Sequence, residues 1–128
     1  RAMARFHERY DLYITPTIAY PPVRVGELKP GLGEQVLIKA INAAGTGKLL
    51  IAAGIVDKMA TKNLAKTPFT QLANLTGQPA MSVPLHWTTE GLPVGVQFIA
   101  PLGDEATLFR MAAQLEQAQP WFEKRAKL

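Results

Sequence analysis

The chain has 128 residues, about half of them apolar (48%), enough for one domain with a hydrophobic core. It contains no cysteine, which excludes disulfides, thiolate nucleophiles and cysteine-based zinc sites and is compatible with a reducing compartment, so a cytoplasmic location is expected. The net charge of +4 is concentrated before Thr70, where ten Lys/Arg face five Asp/Glu; such a balance can suit an acidic or nucleic-acid partner, but at this modest charge a solvated surface is the preferred reading.

The chain opens on Arg1 with no signal-peptide pattern behind it, which reads as processing or as a piece of a longer protein. Met3, Phe6 and Tyr10 follow helical spacing, the tail end of an amphipathic helix. Asp11 to Thr15 reads as a buried strand stopped by Pro16, and the prolines and glycines from Pro16 to Gly33 mark an irregular excursion. Val36, Leu37, Ala40, Ile41 and Ala44 form a helical stripe over Glu34 to Ala44. A second helix is predicted from Lys48 to Leu64, with Lys58, Lys62 and Lys66 as a basic stripe.

Thr67-Pro68 suits an N-cap with proline at the first helical position, and that short helix should end near Gly77, in a left-handed conformation. Ala80 to Leu85 and Val94 to Ala100 are predicted as a hairpin around a turn at Thr88 to Gly91. The charge-free stretch from Thr67 to Thr89 is broken by Gln71, Asn74, Gly77, Gln78, Pro79 and Pro84, so it is no membrane helix and no membrane contact is expected. A last helix starts at Asp104, its cap, with Ala106, Phe109, Ala112, Ala113 and Leu115 as the inner face; Pro120 stops it, and Trp121 and Phe122 pin the tail. The element order predicts an α/β fold with few strands and much apolar helix surface.

Several motifs fail on inspection. Gly45-Thr46-Gly47-Lys48 resembles a phosphate loop, but Asn42 stands where the first glycine is needed and Leu49 where Ser or Thr is needed. The histidines, His7 and His86, lack accompanying carboxylates, so no metal and no cofactor are expected. Ser82 is the only serine, set in a predicted strand without a Gly-x-Ser-x-Gly elbow, and reads as a small strand residue rather than a nucleophile.

The run Asn74-Leu75-Thr76-Gly77-Gln78-Pro79-Ala80, the Ser82-Val83-Pro84 strand end and Gly91-Leu92-Pro93-Val94-Gly95-Val96-Gln97 follow one another in a distinctive order. With the helix after them, and with Tyr10 to Thr17 ending in Thr-Pro-Thr, they resemble the C-terminal region of the amidase signature family, the serine amide hydrolases. Residues 23–66 are specific to subgroups; their pattern resembles hydrolases of cyclic amide oligomers. The resemblance implies that residues 1–128 form a single C-terminal piece of a larger amidase signature fold, an incomplete mixed sheet with packed helices. That family acts through a lysine and two serines, one joined by a cis peptide, in a Gly- and Ser-rich stretch that precedes this region. With one serine, this chain cannot hold that triad, so no catalytic residue is assigned.

The resemblance implies cleavage of a C–N bond in a small-molecule amide through an acyl-serine intermediate, the missing N-terminal half being the chief partner and a homo-oligomer an open alternative. Thr17, Asn74, Thr76, Gly77 and Pro79 are the candidate substrate-binding residues. They sit at strand ends, where α/β proteins place ligand contacts; Gly77 permits close backbone approach, and Asn74 offers both donor and acceptor. The alternative for Asn74 and Thr76 is simple capping. Thr17 should meet Asn74 and Thr76 on one side of the sheet if their strands are antiparallel, or if an intervening strand restores that geometry. Helices too apolar for a chain of this size should leave exposed apolar surface for the missing half.

Two rival readings stand beside this one. One is a non-catalytic basic interaction module, associated with nucleic acid or forming a piece of an amidotransferase subunit; such a module should gather arginine and aromatic residues on one face, whereas the aromatics here are scattered. The other is a plain structural domain. The amidase reading predicts that the isolated chain hydrolyses no amide above buffer background. Turnover that is lost in Ser82→Ala would contradict it.

Overall fold

The computed structural model describes residues 1–22, 24–26, 29, 31–43, 45, 54, 57, 60, 61 and 64–126. They fall into two compact units, one made of residues 1–21 with 67–128 and the other of residues 22–66.

The larger unit is organised by a three-stranded sheet in the order β1-β3-β2, where β1 is Tyr13–Pro16, β2 is Ala80–Trp87 and β3 is Pro93–Ile99. Both outer strands pair with β3 antiparallel, so β1 and β2 run parallel to each other on either side of it. The hairpin expected from sequence is present: Gly91, at φ 82°, closes the turn by donating its N–H to the Thr88 carbonyl. The β2–β3 ladder shifts register between Val83 and His86, so Pro84 and Leu85 together face the single residue Gly95. A proline has no N–H to give a ladder, and an outer strand with a bulge is where a sheet tolerates one.

Cross-strand partners share a face of the sheet. One face carries Phe98, Val96, Met81 and Val83, and α4 (Glu105–Ala118) covers it. Leu108, Met111 and Leu115 of α4 pack with Val83, Phe98 and Ala100, and Trp121 closes the cluster after the helix. This corrects the expected inner face of α4. Phe109 is 76% exposed, and the buried stripe is set by Leu108, one position earlier. Phe122 is also exposed and holds the Arg125 guanidinium 6.0 Å above its ring instead of packing inward.

Asp104 caps α4 as predicted. Its carboxylate accepts from the Thr107 N–H at 3.2 Å and from the Thr107 hydroxyl at 2.6 Å, while Arg110 donates to that same hydroxyl at 2.8 Å. The Thr107 hydroxyl bond, outweighing the opposing effect of desolvation and aided by the Thr107 N–H and Arg110, holds the Asp104 carboxyl below the usual range.

The opposite face of the sheet carries Thr15, Gln97 and Ser82 in one row, with Tyr13, Ile99 and Ala80 in the next. Phe6 of α1 (Ala2–His7) stacks on Tyr10 at 4.8 Å between centroids and meets Tyr13 edge-on at 5.5 Å. α3 (Thr70–Thr76) begins two residues later than expected, with Phe69 rather than Thr67 as its N-cap; the Thr70 hydroxyl donates to the Thr67 carbonyl across a turn that precedes the helix. The expected buried strand at residues 11–15 is an outer strand in which only Thr15 is buried and Ile14 is 57% exposed. Exposed apolar side chains were expected, and Leu75, Leu102 and Phe109 join Ile14 at the surface.

In the smaller unit, α2 (Leu32–Ala43) starts two residues ahead of the predicted Glu34, because the Glu34 carboxylate reaches back to accept from the Gly31 N–H at 3.0 Å. Within it Leu32 and Val36 are exposed. The helix predicted from Lys48 to Leu64, with its lysine stripe, and the Gly45-Thr46-Gly47-Lys48 break lie largely outside the described residues.

Phe98→Ala should lower the unfolding free energy by about 3–5 kcal/mol in chemical denaturation, because it empties a fully packed site. Phe109→Ala should stay within about 0.5 kcal/mol of the unaltered chain; equal losses would contradict the assigned helix face. Because the Asp104 pKa is depressed in the folded chain, its contribution is complete above the range of a free aspartate and is lost as pH falls through the depressed value. Asp104→Ala should therefore lower Tm at neutral pH, and the gap should close in strong acid; a gap that widens in acid would contradict the cap.

Candidate functional site

The candidate residues sit at two ends of the sheet. At one end, α3 stops at Gly77, whose φ of 70° and ψ of 15° are left-handed and whose N–H donates to the Ala73 carbonyl at 2.9 Å. A side chain there would be strained whatever the space around it. The Thr76 hydroxyl lies 2.8 Å from the Leu72 carbonyl and 3.0 Å from Gln78 Oε1, so it serves the last turn of its own helix. Gln78 Nε2 donates to the Ala100 carbonyl at 3.0 Å, and the Ala100 N–H donates to the Pro79 carbonyl at 3.1 Å. Thr76, Gly77, Gln78 and Pro79 thus form a clamp on the end of β3. Asn74 stands outside it, exposed and with its side chain unbonded among the described residues.

Thr17 lies at the other end. Its N–H donates to the Gly95 carbonyl at 3.0 Å, whereas Pro79 is bonded at Ala100. Five register positions separate the two, ~17 Å along a strand. The structure therefore does not bring Thr17 together with Asn74 and Thr76. The intervening strand makes β1 and β2 parallel, so the end of β1 and the start of β2 lie at different ends of the sheet.

What Thr17 does meet is Ser82. Their hydroxyl oxygens are 2.6 Å apart, although the residues lie 65 positions apart in sequence. The pair spans the central strand at Gly95, where a Cβ would stand 2.4 Å from Ser82 Oγ and 2.7 Å from Thr17 Oγ1. Beside it, Gln97 is 4% exposed and donates from Nε2 to the Phe69 carbonyl at 3.3 Å, and the buried Thr15 hydroxyl has no partner among the described residues. Sequence reasoning named Thr17 but missed Ser82, Gly95 and Gln97 as its companions. A signal existed: a glycine inside a strand marks close approach, and Gly95, Gln97 and Ile99 share one face by period two.

Ser82 lies within β2, as expected, and bonds to Thr17, with no histidine or lysine partner among the described residues. His7 donates from Nδ1 to the Tyr10 carbonyl at 3.0 Å and lines a cavity of about 600 Å³ with Met3, Glu8, Leu75, Thr76 and Leu102. Among the described residues no group of three His, Cys, Asp or Glu could hold a metal ion, and no helix is long and apolar enough to cross a membrane.

A family model described as amidase matches residues 1–109, and the chain belongs to that family. It is 35% identical over 119 residues to the 6-aminohexanoate-cyclic-dimer hydrolase of Pseudomonas sp. (strain NK87), covering 93% of this chain and 21% of that protein. It is 38% identical over 119 residues to the lipoamidase of Enterococcus faecalis, covering 91% of this chain and 16% of that protein. A solved structure of 6-aminohexanoate cyclic dimer hydrolase superposes with a TM-score of 0.66 at 31% identity, covering 97% of this chain and 22% of that one. The chain thus spans about a fifth of the length of such relatives, and its α/β architecture is a piece of a larger amidase fold.

Proposed function

We propose that residues 1–128 are the C-terminal portion of a serine amide hydrolase that cleaves C–N bonds through an acyl-enzyme, with nucleophile, base and oxyanion hole supplied by polypeptide outside this segment. The observation that carries the reading is the amidase match over residues 1–109 in a chain whose sole serine, Ser82, is bonded to a threonine hydroxyl. A seryl nucleophile needs a base within hydrogen-bond reach, directly or relayed through a second hydroxyl, and among the described residues neither Ser82 nor Thr17 has a lysine or histidine partner. The segment alone is inactive on this reading. Its substrate is a small-molecule amide, and the relatives named for hydrolysis of a cyclic amide dimer make that branch the first to test. The cytoplasm is the location the reading assigns.

Asn74, Thr76, Gly77 and Pro79 then form one wall of the substrate pocket, and Thr17 belongs to a separate wall at the far end of the sheet. In the first group Asn74 carries the recognition, since its carboxamide is exposed, while the other three hold the loop that presents it. The rival reading as a nucleic-acid module draws little from the aromatic rings: Phe6 stacks on Tyr10 and meets Tyr13 edge-on, Phe98 lies in the core with Trp121 packed against it, and of the exposed rings Phe122 carries Arg125.

In the full-length amidase, Asn74→Ala should lower kcat/KM about tenfold, the worth of one hydrogen bond, with Tm unchanged. An unchanged kcat/KM would reduce Asn74 to a helix-surface residue.

A further inference from the structure

We infer that the Thr17–Ser82 hydroxyl pair over Gly95 is a binding site for the O=C–N–H edge of a primary or cis amide. The inference rests on the amidase reading for its ligand class and adds Ser82 and Gly95 to the wall on which Thr17 stands.

The argument begins with protons. Each hydroxyl has one to give and lone pairs to receive. Whichever donates across the 2.6 Å bond, the other keeps its proton, so the pair presents one donor beside one acceptor. A primary or cis amide carries a carbonyl oxygen and an N–H side by side. The free hydroxyl proton goes to that carbonyl, the N–H goes to the donating hydroxyl, and the ring of hydrogen bonds closes with each member polarising the next. A trans amide sets its carbonyl and N–H on opposite sides and cannot close the ring. Main-chain amides are almost always trans, so the same geometry disfavours a neighbouring polypeptide as the occupant.

Three further observations agree. Ser82 is exposed and Thr17 half-exposed, so the pair is reachable. Gly95 leaves a flat floor beneath it, and its missing Cβ is the space the two hydroxyls occupy. The neighbouring polar groups do not compete, because Gln97 Nε2 is committed to the Phe69 carbonyl and Thr15 is buried.

The test is a two-dimensional amide NMR titration of the 128-residue chain with hexanamide and with N-methylhexanamide, whose amide is trans. Hexanamide should shift the resonances of Thr17, Ser82, Gly95 and Val96, and bind about tenfold more tightly than N-methylhexanamide, the worth of one extra hydrogen bond. Ser82→Ala, Thr17→Val and Gly95→Ala should each abolish the preference, while Thr17→Ser, which keeps the hydroxyl, should preserve it. Equal responses to the two amides, shifts located elsewhere, or a preference that survives Ser82→Ala would overturn the inference. Should Gly95→Ala fail to fold, Thr17→Ser against Thr17→Val decides the matter. No turnover is needed. Hexanamide bound here by a chain whose full-length form hydrolyses no amide would sink the amidase reading and leave this site standing.

Discussion

The structure depends on the central strand β3 having a partner on each side. Gln97, Phe98 and Ile99 are buried in succession, which an amphipathic outer strand does not allow. Phe98 anchors the apolar face under α4. Gln97 turns to the other face and is satisfied there by the Phe69 carbonyl, and a buried amide left without such a partner would cost about 1–3 kcal/mol. The same strand carries Gly95, the position at which the two outer strands reach over it to each other. Packing, polar satisfaction and the candidate hydroxyl site are therefore properties of one seven-residue strand.

Around this strand the larger unit is finished on one face and open at its edges. α4 and Trp121 close the face bearing Phe98. Among the described residues β1 and β2 each have one paired edge only, and Ile14, on β1, is exposed beside the core. Unpaired strand edges are a liability unless covered or blunted. A chain spanning about a fifth of its relatives has a natural source of cover in the rest of the amidase.

Much of this was legible in the sequence wherever a local rule decides. The hairpin, the left-handed Gly77 and the Asp104 cap each follow from a few adjacent residues, and each is present. What was not legible depends on neighbours distant in sequence. Apolarity alone places Phe109 inside, yet the helix turns by the contact of Leu108, Met111 and Leu115 with the sheet. Strand order cannot be read from Tyr13 or Ala80, and that order sets Thr17 and Asn74 at opposite ends. The Thr17–Ser82 bond joins residues 65 positions apart, so no window of local sequence contains it. The family resemblance was carried by the order of short blocks, and the match over residues 1–109 agrees with it.

The central claim is that the serine that does the chemistry lies outside these residues. Fluorophosphonate labelling of the full-length protein, followed by peptide mass spectrometry, tests it directly, since the reagent marks an activated serine. The account predicts an adduct on a serine outside residues 1–128 and an unmodified Ser82. An adduct on Ser82 would contradict it.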